Sequence, residues 1–160
     1  MIRKVKSGMS VSTHKLPGRS PLIREAEIQG ASVGSIGGFF WDSQKIIEER
    51  KLPPESLARF NYLVQGGSCT ITINKVHTEI PLHIHKLNDE MQYYIEGRGE
   101  FRISNERLTI KPGIVTYVPK GTVHGGPISE PVTLLAVFAP NFDIKNPDRV
   151  FVDENGNEFV

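Results

Sequence analysis

The sequence predicts an all-β, antiparallel jelly-roll barrel carrying an irregular amino-terminal arm and one short helix. Two observations carry this expectation: a train of short β-rich runs separated by turn chemistry begins at Ala58, and only one earlier segment bears the punctuation of a helix. The first 40 residues hold breakers at Gly8, Pro17-Gly18, Pro21, Gly30, Gly34 and Gly37-Gly38 and read as an arm with short extended pieces. Asp42-Ser43 is placed to cap a helix running through Arg50, with Ile46 and Ile47 facing inward and Pro53-Pro54 beyond its end.

The expected strands are Phe60 to Val64, Ser68 to Lys75, Pro81 to His85, Glu90 to Glu96, Glu100 to Ser104, Glu106 to Ile110, Ile114 to Val118 and Val132 to Phe138. Gly97-Arg98-Gly99 and Ser104-Asn105 are short enough for hairpins. Lys111-Pro112-Gly113 and Pro119-Lys120-Gly121 carry turn chemistry. Residues 1–57 thus form an arm and helix packed on a barrel of residues 58–160, together one structural domain. At 160 residues the chain can bury about 70% of its extended surface.

Nineteen basic and 18 acidic residues leave a net charge of +1, too weak a field to argue for nucleic acid or an anionic membrane. The longest apolar run, Val132 to Ala139, is far short of the roughly 20 residues of a membrane-spanning helix. The basic start Met1 to Lys6 is not followed by the apolar stretch of a signal peptide, so the expected location is the cytoplasm. The single cysteine, Cys69, has no internal partner and reads as a packed strand residue.

His83 and His85 lie one residue apart, so on a strand both imidazoles project to one face, and Glu90 follows five positions later. Two imidazoles and a carboxylate suit a transition metal ion. Around them stand Glu90-Met91-Gln92-Tyr93-Tyr94-Ile95-Glu96-Gly97 and, later, Gly113-Ile114-Val115-Thr116-Tyr117-Val118-Pro119-Lys120-Gly121-Thr122-Val123-His124. In order, spacing and residue type these resemble the two motifs of the cupin superfamily.

The resemblance implies a double-stranded β-helix of the single-domain cupin kind. His83, His85, Glu90 and His124 become the ligands of one divalent transition metal ion per chain, iron, manganese, nickel, copper or zinc, and Gly97, Gly113 and Gly121 become turn residues. His77 and Ile128 depart from the residues many members carry at those positions. Neither departure removes a ligand.

If Glu90 faces inward, strand parity turns Gln92 and Tyr94 inward too, as candidate catalytic groups beside the ion. Tyr117 is a weaker candidate for the mouth. Phe101, Ile103, Leu134 and Phe138 read as barrel packing, Arg98, Arg102 and Lys120 as solvated charges, and His14 has no partner by spacing. Phe142 and Phe151 in the tail pack on the barrel exterior or drape toward its mouth. The expected function is metal-dependent chemistry of oxygenase or decarboxylase type on a small oxygen-rich or phenolic metabolite. The alternative is a barrel that binds a sugar or other metabolite without turning it over. No helix-turn-helix pattern suggests a sensor of nucleic acid. The extended arm is suited to cover a sheet edge of a second copy, which predicts a homodimer.

Overall fold

The computed structural model describes residues 27–30, 35–37, 40–65, 67–143 and 146–159. Most of the predicted arm, His14 included, lies outside the described residues. The elements are β1 Glu27–Gly30, β2 Ser35–Gly37, β3 Phe40–Trp41, α1 Ser43–Glu49, β4 Ala58–Gln65, β5 Thr70–Val76, β6 Glu79–Ile84, β7 Asp89–Ile103, β8 Glu106–Ile110, β9 Val115–Val118, β10 His124–Ala139 and β11 Val150–Phe151.

Helix α1 begins as its sequence predicts: the Asp42 carboxylate accepts the Lys45 N–H at 3.1 Å. Ile46 is fully buried on the outer face of β4 and β5, against Leu63, Val64 and Ile73. Beside it β1 runs parallel to β4 of its own barrel, so a piece of the arm occupies that sheet edge.

Two long antiparallel strands form the spine. β10 pairs with β7 from His124↔Ile103 to Ala139↔Asp89. Its first half also pairs with β6 and its second half with β5. β8 and β9 pair onto the two ends of β7. Between these strands lies the main core, with Tyr94, Phe101, Ile110, Val118, Val132, Leu134 and Phe138 all buried.

This spine corrects two expectations. Gly97-Arg98-Gly99 is not a hairpin, because β7 continues through it, and the residues after His124 are strand rather than loop. The breakers sit at irregularities in the ladder, which shifts register between Ile128 and Glu130 and again before Leu134. Gly97 has φ of +85°, and a Cβ there would stand 2.3 Å from the Pro131 carbonyl oxygen. Gly113 and Gly121 have positive φ in their turns, as the motifs imply. Cys69 precedes β5 and is half-buried rather than a core residue.

The two kinds of glycine separate experimentally. Gly97→Ala, which meets both the φ restriction and backbone, lowers unfolding free energy by about 2 kcal/mol or more. Gly113→Ala, with the same sign of φ but open space around it, costs about 1 kcal/mol. Urea denaturation of the two variants measures the difference.

Candidate metal centre

His83 lies near the end of β6, Glu90 near the start of β7, and His124 opens β10 opposite His83 in the ladder. His85 follows β6 directly. Their four ligand atoms lie within 4.8 Å of one another, and all four side chains are buried. The strand alternation read from the sequence therefore holds: β7 buries Glu90, Gln92 and Tyr94 and exposes Tyr93.

The imidazoles are oriented by backbone carbonyls. Nδ1 of His83 donates to the Pro81 carbonyl at 2.6 Å, Nδ1 of His124 to the Thr122 carbonyl at 2.9 Å, and Nδ1 of His85 to the Asp148 carbonyl. A carbonyl can only accept, so each Nδ1 carries the hydrogen and each neutral ring keeps its lone pair on Nε2. Those lone pairs meet Glu90: Oε2 stands 3.1 Å from Nε2 of His124 and 3.3 Å from Nε2 of His85. Lone pair facing carboxylate is repulsive unless a proton or a cation stands between them.

Protons fit poorly here. Burial, then the neighbouring His124 and His85, hold His83 well below the usual histidine range. Burial alone would raise the Glu90 carboxyl, but the His124 and His85 rings packed against it outweigh that and hold it well below the usual range, so it is ionised. His85 Nε2 is buried with no hydrogen-bond partner among the described residues. A divalent ion resolves all three conditions. Ligand atoms about 2.1 Å from one ion and at right angles stand roughly 3 Å apart, close to the separations at Glu90. The donor set therefore fits a transition metal.

Each imidazole also has a phenylalanine neighbour, Phe151 at His83, Phe138 at His85 and Phe101 at His124, with ring centroids 6.2, 5.3 and 6.1 Å apart. Beside the ligands opens a cavity of about 50 Å³. Leu57, Phe60, Val76, Ile80, Leu134 and Phe138 form its apolar wall, and Asn74, Glu79, Gln92 and Arg149 supply its polar points. Leu134 and Phe138, expected only to pack the barrel, also line this cavity.

The Gln92 side-chain oxygen accepts from the Tyr94 hydroxyl at 2.6 Å and from Thr116 at 3.1 Å. Tyr94 itself is fully buried and does not line the cavity, and burial raises its phenol far above the usual range. Tyr117 does not reach the mouth: it is exposed on the outer face and donates to Asp89 at 3.0 Å. Lining a separate cleft beside α1, half-buried His77 lies apart from the ligand set. Arg98 and Arg102 form ion pairs with Glu130 and Glu154.

Of the two placements the sequence allowed for the tail, Phe151 takes the one toward the mouth, and what sequence reasoning missed is Asp148. Phe151 pairs with His83 in the ladder, so this part of the tail reaches the cavity, while Phe142 packs on Phe138 and Tyr62. The Asp148 carboxylate accepts the backbone N–H groups of Lys86, Leu87 and Asn88 at 2.5 to 3.0 Å. No spacing in the sequence announces a partner some 60 residues away.

A cupin-domain family model matches residues 69–138. An uncharacterized protein of Aquifex aeolicus is 36% identical over 110 residues, covering 68% of this chain and 90% of that one. Among solved structures, a double-stranded β-helix protein of Klebsiella pneumoniae aligns with a TM-score of 0.56 at 21% identity, over 67% of this chain and 94% of that one. KdgF from Halomonas sp. aligns with a TM-score of 0.56 at 22% identity, over 67% and 96%. The chain belongs to the cupin superfamily.

Removing the Asp148 carboxylate frees the loop that carries His85. Asp148→Ala lowers metal affinity about 10- to 100-fold, read by competition with a chelator. In the metal-free protein, unfolded His83 takes up a proton below its ordinary value of 6.5 that the folded site refuses. The unfolded state then binds more protons, so stability falls as pH drops through about 6.5. Urea midpoints between pH 7.5 and 5.5 show this fall, and His83→Gln reduces it.

Proposed function

We propose that the protein is a metal-dependent enzyme acting on a small oxygen-bearing metabolite, with oxygenase or decarboxylase chemistry. The observation that carries this reading is the gathering of three imidazoles and one buried carboxylate with ligand atoms within 4.8 Å of one another, every ring fixed by its Nδ1 bond to a carbonyl. When bound, a divalent transition metal supplies Lewis acidity toward a ligand oxygen and, if it is iron or copper, redox chemistry with dioxygen. Three imidazoles and one carboxylate leave coordination positions open in a metal that takes five or six ligands.

The chain's own residues then bind and orient. Gln92 lines the cavity with its oxygen already engaged by Tyr94 and Thr116, which leaves its NH₂ group to donate to a ligand. Tyr94 acts through Gln92, as a positioning residue. Asn74 lines the same cavity with its side-chain oxygen buried and without a donor among the described residues, which suits a hydroxyl-bearing ligand. The apolar wall keeps competing water away from the ion.

A second reading, a barrel that binds a metabolite without turnover, is favoured by the Tyr94 hydroxyl, which is committed to Gln92 and offers no proton to a ligand. We further propose a cytoplasmic homodimer. Its support is an exposed apolar strip on the outer face, where Tyr93 pairs across the ladder with Val115 and Tyr117 stands beside Met91.

Elemental analysis of untagged protein purified without chelator is expected to find about one transition metal ion per chain, and His83→Ala is expected to lose it while keeping its circular dichroism. Iron or copper directs the assay to oxygen consumption, and manganese, nickel or zinc to release of carbon dioxide. Wild-type protein that takes up no metal on reconstitution overturns the metalloenzyme reading. Sedimentation at micromolar concentration is expected to give twice the 17.9 kDa chain mass, and a monomer refutes the dimer.

A further inference from the structure

Arg149 is the cavity residue whose charge the metal centre does not explain. Its guanidinium lies 4.7 Å from the centre of the Phe60 ring, and both residues line the cavity that opens onto His83, His85 and Glu90. Its Nε is buried without a hydrogen-bond partner, and it forms no ion pair among the described residues. Arg149 is half-buried, and its Nε, shut off from water with no acceptor, leaves a donor for an anion that enters the cavity. Glu79, the other acidic group of the wall, lies on β6 four residues before His83, about 13 Å along the strand.

The backbone on either side is fixed. Asp148 is anchored to residues 85–88 by its carbonyl and carboxylate, and Val150 pairs with Ile84 in the ladder. Arg149 is therefore held in register with the same segment that carries His85. Burial lowers its pKa from the ordinary arginine value, yet Tyr62 and Glu90 act in the opposite sense, and arginine keeps its charge in proteins.

We propose that Arg149 is the anion-binding residue of this cavity and that the ligand is a small carboxylate with an apolar body, its charged end gripped by the guanidinium and its body against Leu57, Val76, Ile80 and Leu134. This rests on the metal-site reading only in placing the ligand beside an ion. A planar guanidinium matches a carboxylate with two parallel hydrogen bonds. The mostly apolar wall disfavours a doubly charged phosphate, whose desolvation costs more.

The test is calorimetric titration of isobutyrate, of its neutral isostere isobutyramide and of inorganic phosphate into the protein, with metal content measured separately. Wild type is expected to bind isobutyrate more tightly than isobutyramide or phosphate. Arg149→Gln is expected to weaken isobutyrate about 10- to 100-fold, the effect of losing a charge-assisted hydrogen bond, with isobutyramide binding and metal content unchanged. Arg149→Lys is expected to regain part of the loss. Equal isobutyrate affinity in wild type and Arg149→Gln overturns the assignment, and tighter phosphate binding overturns the carboxylate class. If wild type holds no metal, the same titrations of metal-free protein decide the role of Arg149 by themselves.

Discussion

Three hydrogen bonds from Nδ1 to backbone carbonyls decide what the barrel's interior can do. They turn the lone pairs of His85 and His124 toward Glu90 and fix His83 beside them, and a carbonyl cannot exchange roles with the ring as a hydroxyl could. Two of the carbonyls, those of Pro81 and Thr122, lie two residues before the histidines they orient. Ring orientation at His83 and His124 is thus a local property of strand and turn. His85 differs, because its carbonyl comes from Asp148.

The polar cluster sits in a barrel that surrounds it with hydrocarbon. Phe101, Phe138 and Phe151 stand against the three imidazoles, and Tyr94 and Val118 close the interior behind Glu90. Low polarity strengthens every interaction between the ligands and whatever lies among them. It also makes the spine of β7 and β10 a precision element: one contributes Glu90, the other His124, and their shared ladder fixes the two relative to each other. The irregularities in that ladder lie between Ile128 and Leu134, beyond the end that carries His124.

Much of this was legible in the sequence. The strand pattern, the Asp42 cap and the alternation that buries Glu90 and Gln92 beside His83 and His85 follow from periods of two residues and from local turn chemistry. The extent of β7 and β10 was not legible, because Gly97-Arg98-Gly99 reads locally as a hairpin and the apolar run begins only at Val132, while long-range pairing keeps both strands continuous. Tyr117 was misplaced because parity along β9 faces Thr116 and Val118 inward instead. Arg149 and Asp148 escaped notice for a different reason. The tail's aromatics indicate that it packs on the barrel, but nothing in its sequence indicates that Asp148 and Arg149 are the residues it brings to the site.

The link between His85 and Asp148 spans 63 positions of sequence. During synthesis, β6 and β7 emerge with two histidines and the glutamate while the residue that orients His85 has not yet been added to the chain. A nascent barrel can gather ligands early, but only loosely. Final geometry awaits closure of a long loop, a slow kind of event in β proteins. Orientation of His85 is therefore completed only after residue 148 has been added, some 60 residues after the ring it holds.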